Sequence, residues 1–338
     1  MTSASLPPQA PMTNGIHKMV NGEADVLSSS NPASATHSLR DICAVLHGQV
    51  DAFLSAAPED DVTRRTQKQT RISMQVIEKA LNDYDFPALS LSYNGGKDCL
   101  VLLILYLAVL HTHYSKPPKN GTPRDFPTSI PSIYAKPPDP FPAVSEFVEY
   151  SSKLYHLDLT HISTNPGPRK KERSHSNPPL SSSPTPTALP TGPSPVPPPS
   201  AKPIVSFRDA FALYLSSHPQ VKAIFVGTRR TDPHGSHLTH FDPTDHNWPD
   251  FMRIHPVIDW HLSEIWCFLR SPYLTDVGGG GEVPLKYCHM YDAGYTSLGG
   301  VNDTVRNPKL RYVDSDGRER YKPAYEMTWD EGERLGRE

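Results

Sequence analysis

The sequence predicts an α/β fold: an open, mostly parallel, twisted sheet with helices on both faces, interrupted by one disordered Pro/Ser-rich insertion. Three observations lead there. Short apolar runs of strand length alternate with longer runs at helical spacing. One of these runs, Leu89-Ser90-Leu91-Ser92, passes through the polar turn Tyr93-Asn94-Gly95-Gly96-Lys97-Asp98 straight into the apolar stretch LVLLILYLAVL. The chain holds 37 prolines in 338 residues, concentrated between the periodic segments rather than within them.

Residues 1–35 are small and polar without a period and read as a disordered tail. A helix follows from Ser38, with Leu39, Ile42, Val45 and Leu46 at helical spacing and Ser38 as its cap. A second helix covers Thr66 to Tyr84, placing Ile72, Val76, Ile77 and Leu81 on one side. Pro87 to Ser92 reads as a strand and Asp98 to Leu110 as a buried helix, whose length and leucine content separate it from a strand. After a polar connection over 115–129 come a strand at Ser132 to Ala135, a helix at Ala143 to Leu154 and a strand at Leu157 to Ile162. The pattern resumes with a helix at Ser206 to Ser217, a strand at Val221 to Val226 and a helix at Leu262 to Leu269. The folded domain is therefore expected in two parts, 36–163 and 204–338. The low-complexity segment 164–203 between them is a surface insertion rather than a domain boundary.

The formal net charge of -3 gives no reason to expect a nucleic-acid partner. The four cysteines show no paired spacing and no leader precedes them, so reduced thiols in a cytoplasmic protein are expected. The apolar run Leu100 to Leu110 is too short to span a membrane.

Chemistry concentrates in the turn Ser92-Tyr93-Asn94-Gly95-Gly96-Lys97-Asp98. The glycines open backbone angles closed to other residues and let an anion approach the main chain. Amide groups of the turn and of the helix start then converge on phosphate oxygens. Lys97 adds positive charge and Asn94 orients an oxygen. Asp98 either caps the helix or helps hold Mg²⁺, directly or through water. The P-loop pattern GxxxxGK[ST] and the dinucleotide pattern GxGxxG are both absent, and Gly278 to Gly281 reads as a flexible loop.

A second candidate element, Gly227-Thr228-Arg229-Arg230-Thr231-Asp232, follows a predicted strand, where open α/β sheets gather ligands. Arg229 and Arg230 suit a phosphate or a planar ligand edge, and Asp232 suits an N–H donor or a metal. A charged turn is the alternative. His234, His237, His240, Asp242, Asp245 and His246 match no ordinary zinc spacing and are read as a solvated loop near the ligand. Trp260 and Trp266 are assigned to the core. Arg253 is open between a site role and pairing with a surface carboxylate. Arg334 and Arg337 stand three apart, which suits two oxygens of one phosphate as well as it suits a frayed terminus.

Taken in order, SYNGGKDC, FVGTRRTDP, RIHPVIDW with the following EIW, YCHMYDAGYTSLG and the terminal ERLGR resemble the fungal FAD synthase family. These are FMN adenylyltransferases related to PAPS reductases and PP-loop ATP pyrophosphatases. The likeness covers about residues 75–300 and the tail. It implies an adenine nucleotide α-hydrolase-like sheet, a flavin-binding C-terminal segment, and a monomer acting on the small molecules ATP and FMN. The implied reaction is Mg²⁺-dependent transfer of AMP from ATP to FMN, giving FAD and pyrophosphate. Catalytic roles then fall to Asn94, Asp98, Arg334 and Arg337, with Asp98 at the metal. Binding roles fall to Ser92, Tyr93, Gly95, Gly96, Lys97, Gly227, Arg229, Arg230, Asp232, Arg253 and Tyr291. The chain departs from the broader SGGxDS pattern in having NGGKDC. It also lacks the ECGxH-type ending of sulfonucleotide reductases, for which Cys288 is no replacement, and shows no riboflavin kinase or molybdopterin-binding segment. Another PP-loop adenylating enzyme, a sulfonucleotide reductase and a non-catalytic flavin or nucleotide binder are the rival readings.

Overall fold

The structure, a computed structural model, describes residues 37–117, 124–165, 205–279 and 283–337. The predicted N-terminal tail, nearly all of the 164–203 insertion and the second half of the glycine run lie outside the described residues.

Helix α1 (Leu39–Ser55) begins at Ser38, whose hydroxyl accepts from the Asp41 N–H while the Asp41 carboxylate accepts from the Ser38 N–H, a reciprocal capping box. Its buried face is Leu39, Ile42, Cys43, Leu46, Val50 and Phe53; Val45, expected on that face, is exposed. Helix α2 (Asp61–Asp83) starts a turn earlier than its apolar period suggests, because Asp60 accepts from the Thr63 N–H and caps it. Strand β1 (Leu89–Ser92) feeds helix α3 (Lys97–Ser115). Strand β2 (Ile130–Lys136), helix α4 (Pro142–Leu154) and strand β3 (Leu157–Ser163) follow. Then come helix α5 (Phe207–Ser217), the short strands β4 (Ala223–Phe225), β5 (Phe241–Pro243) and β6 (Met252–Ile254), and helix α6 (Leu262–Leu269). The hairpin β7 (Arg311–Val313) and β8 (Glu319–Tyr321) stands apart from the main sheet.

The six-stranded sheet has the order β3-β2-β1-β4-β6-β5, and every pairing is parallel except that of β5 with β6. Side chains alternate across it as a pleated strand requires. Leu89, Leu91, Ala223 and Phe225 face the large core built with α1, α2, α3 and α6. Ile133 and Ile224 face a smaller core with Phe211, Tyr214 and Phe251 under α5. Ser90 points to the α5 side and is satisfied there, 2.7 Å from the Tyr214 hydroxyl. Helices thus cover both faces.

Helix α3 is long and apolar enough, by length and composition alone, to cross a membrane. Its residues from Leu100 to Leu110 are instead all buried, against the sheet and its neighbouring helices. It is the central helix of a globular core. Trp260 and Trp266 are buried in that core as expected, with Trp260 Nε1 donating to Ser73 Oγ at 2.9 Å.

Strands β5 and β6 had no counterpart in the sequence reading. Three residues are too few to show a period of two, and Pro243 ends β5 at the sheet edge, where proline is tolerated. The hairpin β7–β8 was likewise missed. Gly317, with a positive φ of 76°, closes its turn.

Asn165 and Val205, the residues flanking the insertion, hydrogen-bond to each other in both directions at 2.7 and 3.0 Å. The chain leaves and returns at one point. Replacing 167–203 with a short Gly/Ser turn is therefore expected to leave the thermal midpoint nearly unchanged, read by calorimetry; a drop of many degrees would show that the segment packs on the domain. By contrast, Leu103→Ala, at a fully buried position of α3, is expected to cost about 2–5 kcal/mol in urea unfolding.

Candidate active site

The strand order places β1 between β2, which continues outward to β3, and β4, which begins the other half. Ligands bind at such a reversal, outside the carboxyl ends of the strands. A cavity of about 540 Å³ lies there. From β1 and α3 it is lined by Ser92, Asn94, Gly96, Lys97, Asp98 and Cys99; from the β4 side by Gly227 and Asp232; and from the C-terminal tail by Glu333, Arg334 and Arg337.

The turn after β1 is shaped by Gly95, whose φ of 74° is left-handed and whose added Cβ would lie 2.7 Å from Val148 Cγ2. Gly96 occupies the cap position of α3 and supplies no side-chain cap. The Gly96 N–H donates to Asn94 Oδ1 at 2.9 Å, and the Lys97 N–H donates to the Tyr291 hydroxyl at 3.0 Å. Gly227 brings the β4 loop onto the first turn of α3: a Cβ there would stand 2.8 Å from Cys99 Sγ and 3.0 Å from its backbone nitrogen.

Beneath the cavity is a cluster of opposite charges. Arg229 is fully buried. Its Nε lies 2.7 Å from Asp98 Oδ1, its Nη1 lies 3.1 Å from Asp330 Oδ1, and its Nη2 pairs with Glu333. Lys97, also buried, pairs with Asp98 at 3.0 Å and with the second oxygen of Glu333. Asp330 in turn accepts from the Leu262 N–H at 2.8 Å and sits 2.6 Å from His261 Nδ1 at the start of α6. Burial opposes the charge on Asp98, but Arg229 and then Lys97 outweigh it and hold the carboxyl below its usual range. Burial, then the charge of Asp98, push Asp232 the other way. Burial would also neutralise Lys97, yet Asp98 and Glu333 keep it firmly protonated.

The tail is not helical. Successive turns, with Glu333 N–H to Asp330 O at 3.0 Å and Arg337 N–H to Arg334 O at 2.9 Å, bring Arg334 and Arg337 to the same cavity. Arg334 lies 3.5 Å from Asp232 Oδ1. Arg337 donates to the Leu298 carbonyl at 2.8 Å and stands 3.5 Å from Asp303. Asn307, fully buried, donates to the Gly332 carbonyl at 2.7 Å and fixes the tail backbone.

Of the residues singled out in the sequence, Ser92, Asn94, Gly96, Lys97, Asp98, Gly227, Asp232, Tyr291, Arg334 and Arg337 meet at this cavity, and Gly95 shapes the turn. Besides Gly95, four do not line it. Tyr93 points into the core and donates to Ser151 Oγ at 2.8 Å, as the alternation of β1 demands. Arg229 is fully buried among carboxylates. Arg230 turns outward to Asp259 at 2.7 Å and to the Leu238 carbonyl at 2.8 Å. Arg253 donates to the Pro243 carbonyl at 2.8 Å and stands 3.9 Å from exposed Asp245, holding the edge strand. The two oxygens of Asp98 face Lys97 and Arg229. Among the described residues no group of three or more His, Cys, Asp or Glu side chains is arranged to hold a metal. Asp330, Glu333 and Asn307 were missed as site residues. Glu333 stands inside the quoted ERLGR, but nothing local marks it as buried.

A family model described as the phosphoadenosine phosphosulfate reductase domain matches residues 88–181 and 208–306. The probable FAD synthase of Schizosaccharomyces pombe is 34% identical over 285 residues, spanning 84% of each chain. The chain belongs to the FAD synthase family. The flavin adenine dinucleotide synthase of Saccharomyces cerevisiae is 30% identical over 288 residues, covering 83% of this chain and 77% of the relative. The solved structure of Candida glabrata FMN adenylyltransferase in complex with FAD and inorganic pyrophosphate superposes with a TM-score of 0.67 at 26% identity, covering 89% of this chain and 97% of that one. The match to the reductase-domain model takes in the turn at the start of α3 and stops before the charged tail.

Two outcomes follow from the charge cluster. Arg229→Ala leaves Asp98, Asp330 and Glu333 facing one another and is expected to destabilise the fold by about 3–5 kcal/mol in urea unfolding. Asp98 releases its proton more readily folded than unfolded, so its stabilisation is complete above the ordinary carboxylate pKa of about 3.9 and is lost as pH falls through the lower folded value. Thermal midpoints measured from pH 7 downward should show this acid limb, and Asp98→Asn should flatten it.

Proposed function

We propose that this chain is an FMN adenylyltransferase that joins AMP from ATP to the phosphate of FMN, releasing pyrophosphate. The observation that carries the reading is the meeting of two anion-binding elements on one cavity. The start of α3, with its turn amides, is on one side, and the paired arginines Arg334 and Arg337 are on the other. A helix start with its dipole suits the triphosphate. Two guanidinium groups three residues apart suit a second phosphate.

In this mechanism an FMN phosphate oxygen attacks the α-phosphorus of ATP. A new P–O bond forms as the bond to the β-phosphate oxygen breaks, and pyrophosphate leaves from the opposite side. The nucleophile is already an anion, so no general base is required; alignment and charge neutralisation carry the rate. The Asn94–Asp98 turn holds the β- and γ-phosphates, the future leaving group. Asn94 Oδ1, anchored by the Gly96 N–H, keeps the turn in shape while its amide group faces the reacting phosphates. Arg334 and Arg337 hold the FMN phosphate in line and offset the repulsion between two anions. Asp232, beside Arg334, accepts from an N–H of the flavin ring. Magnesium bound together with the triphosphate would offset phosphate charge, and Asp98 is the residue of the turn that would help hold it, directly or through water. The protein is read as a cytoplasmic monomer.

The reductase alternative needs an accessible thiolate. Cys288 is buried, and burial raises its thiol; burial likewise pushes Cys99 in the cavity wall up to about 12. Neither suits nucleophilic sulfur chemistry at neutral pH.

Incubation with FMN, ATP and Mg²⁺ is expected to yield FAD and pyrophosphate in equal amounts. Ligand binding without product would leave a scaffold, and adenylation of a different acceptor would replace FMN. Loss of one charged hydrogen-bonding partner is worth about 1.5–3 kcal/mol. Arg334→Ala and Arg337→Ala are therefore each expected to lower kcat/KM for FMN roughly tenfold to a hundredfold, with the thermal midpoint little changed. Equal kcat/KM in variants and wild type would discard those roles.

A further inference from the structure

The buried carboxylate of Glu333 bridges the start of α3 and the loop after β4. One oxygen pairs with Lys97 in the first turn of α3, and the other with Arg229 in the loop after β4. Glu333 is itself almost fully buried, and its carbonyl accepts from Thr296 Oγ1 at 2.5 Å. The next residue in the chain is Arg334, and Arg337 follows one turn later. The other restraints on the tail come from different directions. Asn307 grips the Gly332 carbonyl, Val305 N–H donates to the Gly336 carbonyl at 2.8 Å, and Asp330 meets the start of α6. Of these side chains and backbone groups, Glu333 alone ties the arginine-bearing turn to the phosphate turn itself.

From this geometry we infer that Glu333 is a positioning residue for the adenylyl transfer. It sets the distance between Arg334 and Arg337 and the start of α3, and so sets where the FMN phosphate lies relative to the triphosphate. Lys97 is the other half of the device. Its ammonium is directed at Asp98 and Glu333, so it acts as an anchor for the tail. The inference rests on the assignment of Arg334 and Arg337 to FMN, and it adds that their placement is controlled from the nucleotide side.

The carboxylate is well suited to this task. It is held by two cations on two separate elements and cannot follow one without leaving the other. Breaking one contact leaves a buried charge short of a partner, which makes the arrangement stiff. A reach shortened by one methylene must then pull the tail inward or give up a partner.

The test compares Glu333→Gln and Glu333→Asp with wild type, Arg334→Ala/Arg337→Ala, and Glu333→Gln in that double-variant background. Folding is checked by circular dichroism, and steady-state kinetics are taken with each substrate varied in turn. Glu333→Asp keeps the charge and is the variant to rely on where Glu333→Gln does not fold. Both substitutions are expected to raise the KM for FMN at least fivefold and to lower kcat, while the KM for ATP moves less than twofold. Glu333→Gln should add less than twofold to the loss already caused by removing both arginines, since it acts through them. An unchanged FMN KM and kcat in folded Glu333→Asp would overturn the positioning role, as would a full additional loss in the arginine-free background. A wild-type enzyme that makes no FAD would refute the functional assignment instead, so the two failures are separable.

Discussion

Everything at this cavity depends on holding two cations and three carboxylates together out of water. Lys97, Arg229, Asp98, Asp330 and Glu333 come from the start of α3, the loop after β4 and the tail. Desolvating such groups costs more than most contacts return, and the cost is offset only when each charge meets its partners in good geometry. The cluster is therefore an expensive way to gain stability. It is an effective way to gain definition, because it ties three chain segments to one another. The apolar core under α3 supplies the foundation on which this polar layer is built.

The close approach of Gly227 to Cys99 makes that layer possible. With a side chain there, the loop after β4 would be lifted from the helix start, and Arg229 would no longer reach Asp98. The left-handed turn at Gly95 does the corresponding work on the other side by letting the chain reverse tightly above α4. The two glycines thus act before any charge does: they bring main chains near enough for the ion pairs to close.

Much of the fold was legible in the sequence because its long elements carry strong periods. Helix α6 was read with its observed bounds, Leu262 to Leu269, and the strand–turn–helix at 89–110 was visible from composition and glycine placement. Strand β4 lies within the strand read at Val221 to Val226, whereas β5 and β6, with three residues each, carry no measurable period and owe their structure to neighbours. The site divided along the same line. Residues in the turn after β1 were found because a local pattern announces them. Arg229 and Arg230 look equivalent in sequence, yet one is fully buried among carboxylates and the other faces solvent beside Asp259. Glu333 and Asp330 escaped notice because a charged terminal stretch reads as solvated; only the return of the tail onto α3 turns it into interior.

The paired backbone at Asn165 and Val205 has a further consequence. Thr164, the residue just before this junction, is part of the cavity wall. Any payload spliced between the paired residues would enter and exit through a preformed hydrogen-bonded pair beside that cavity. The position is thus a natural socket for an environment-sensitive dye or a guest module, since the backbone on either side of it is already paired.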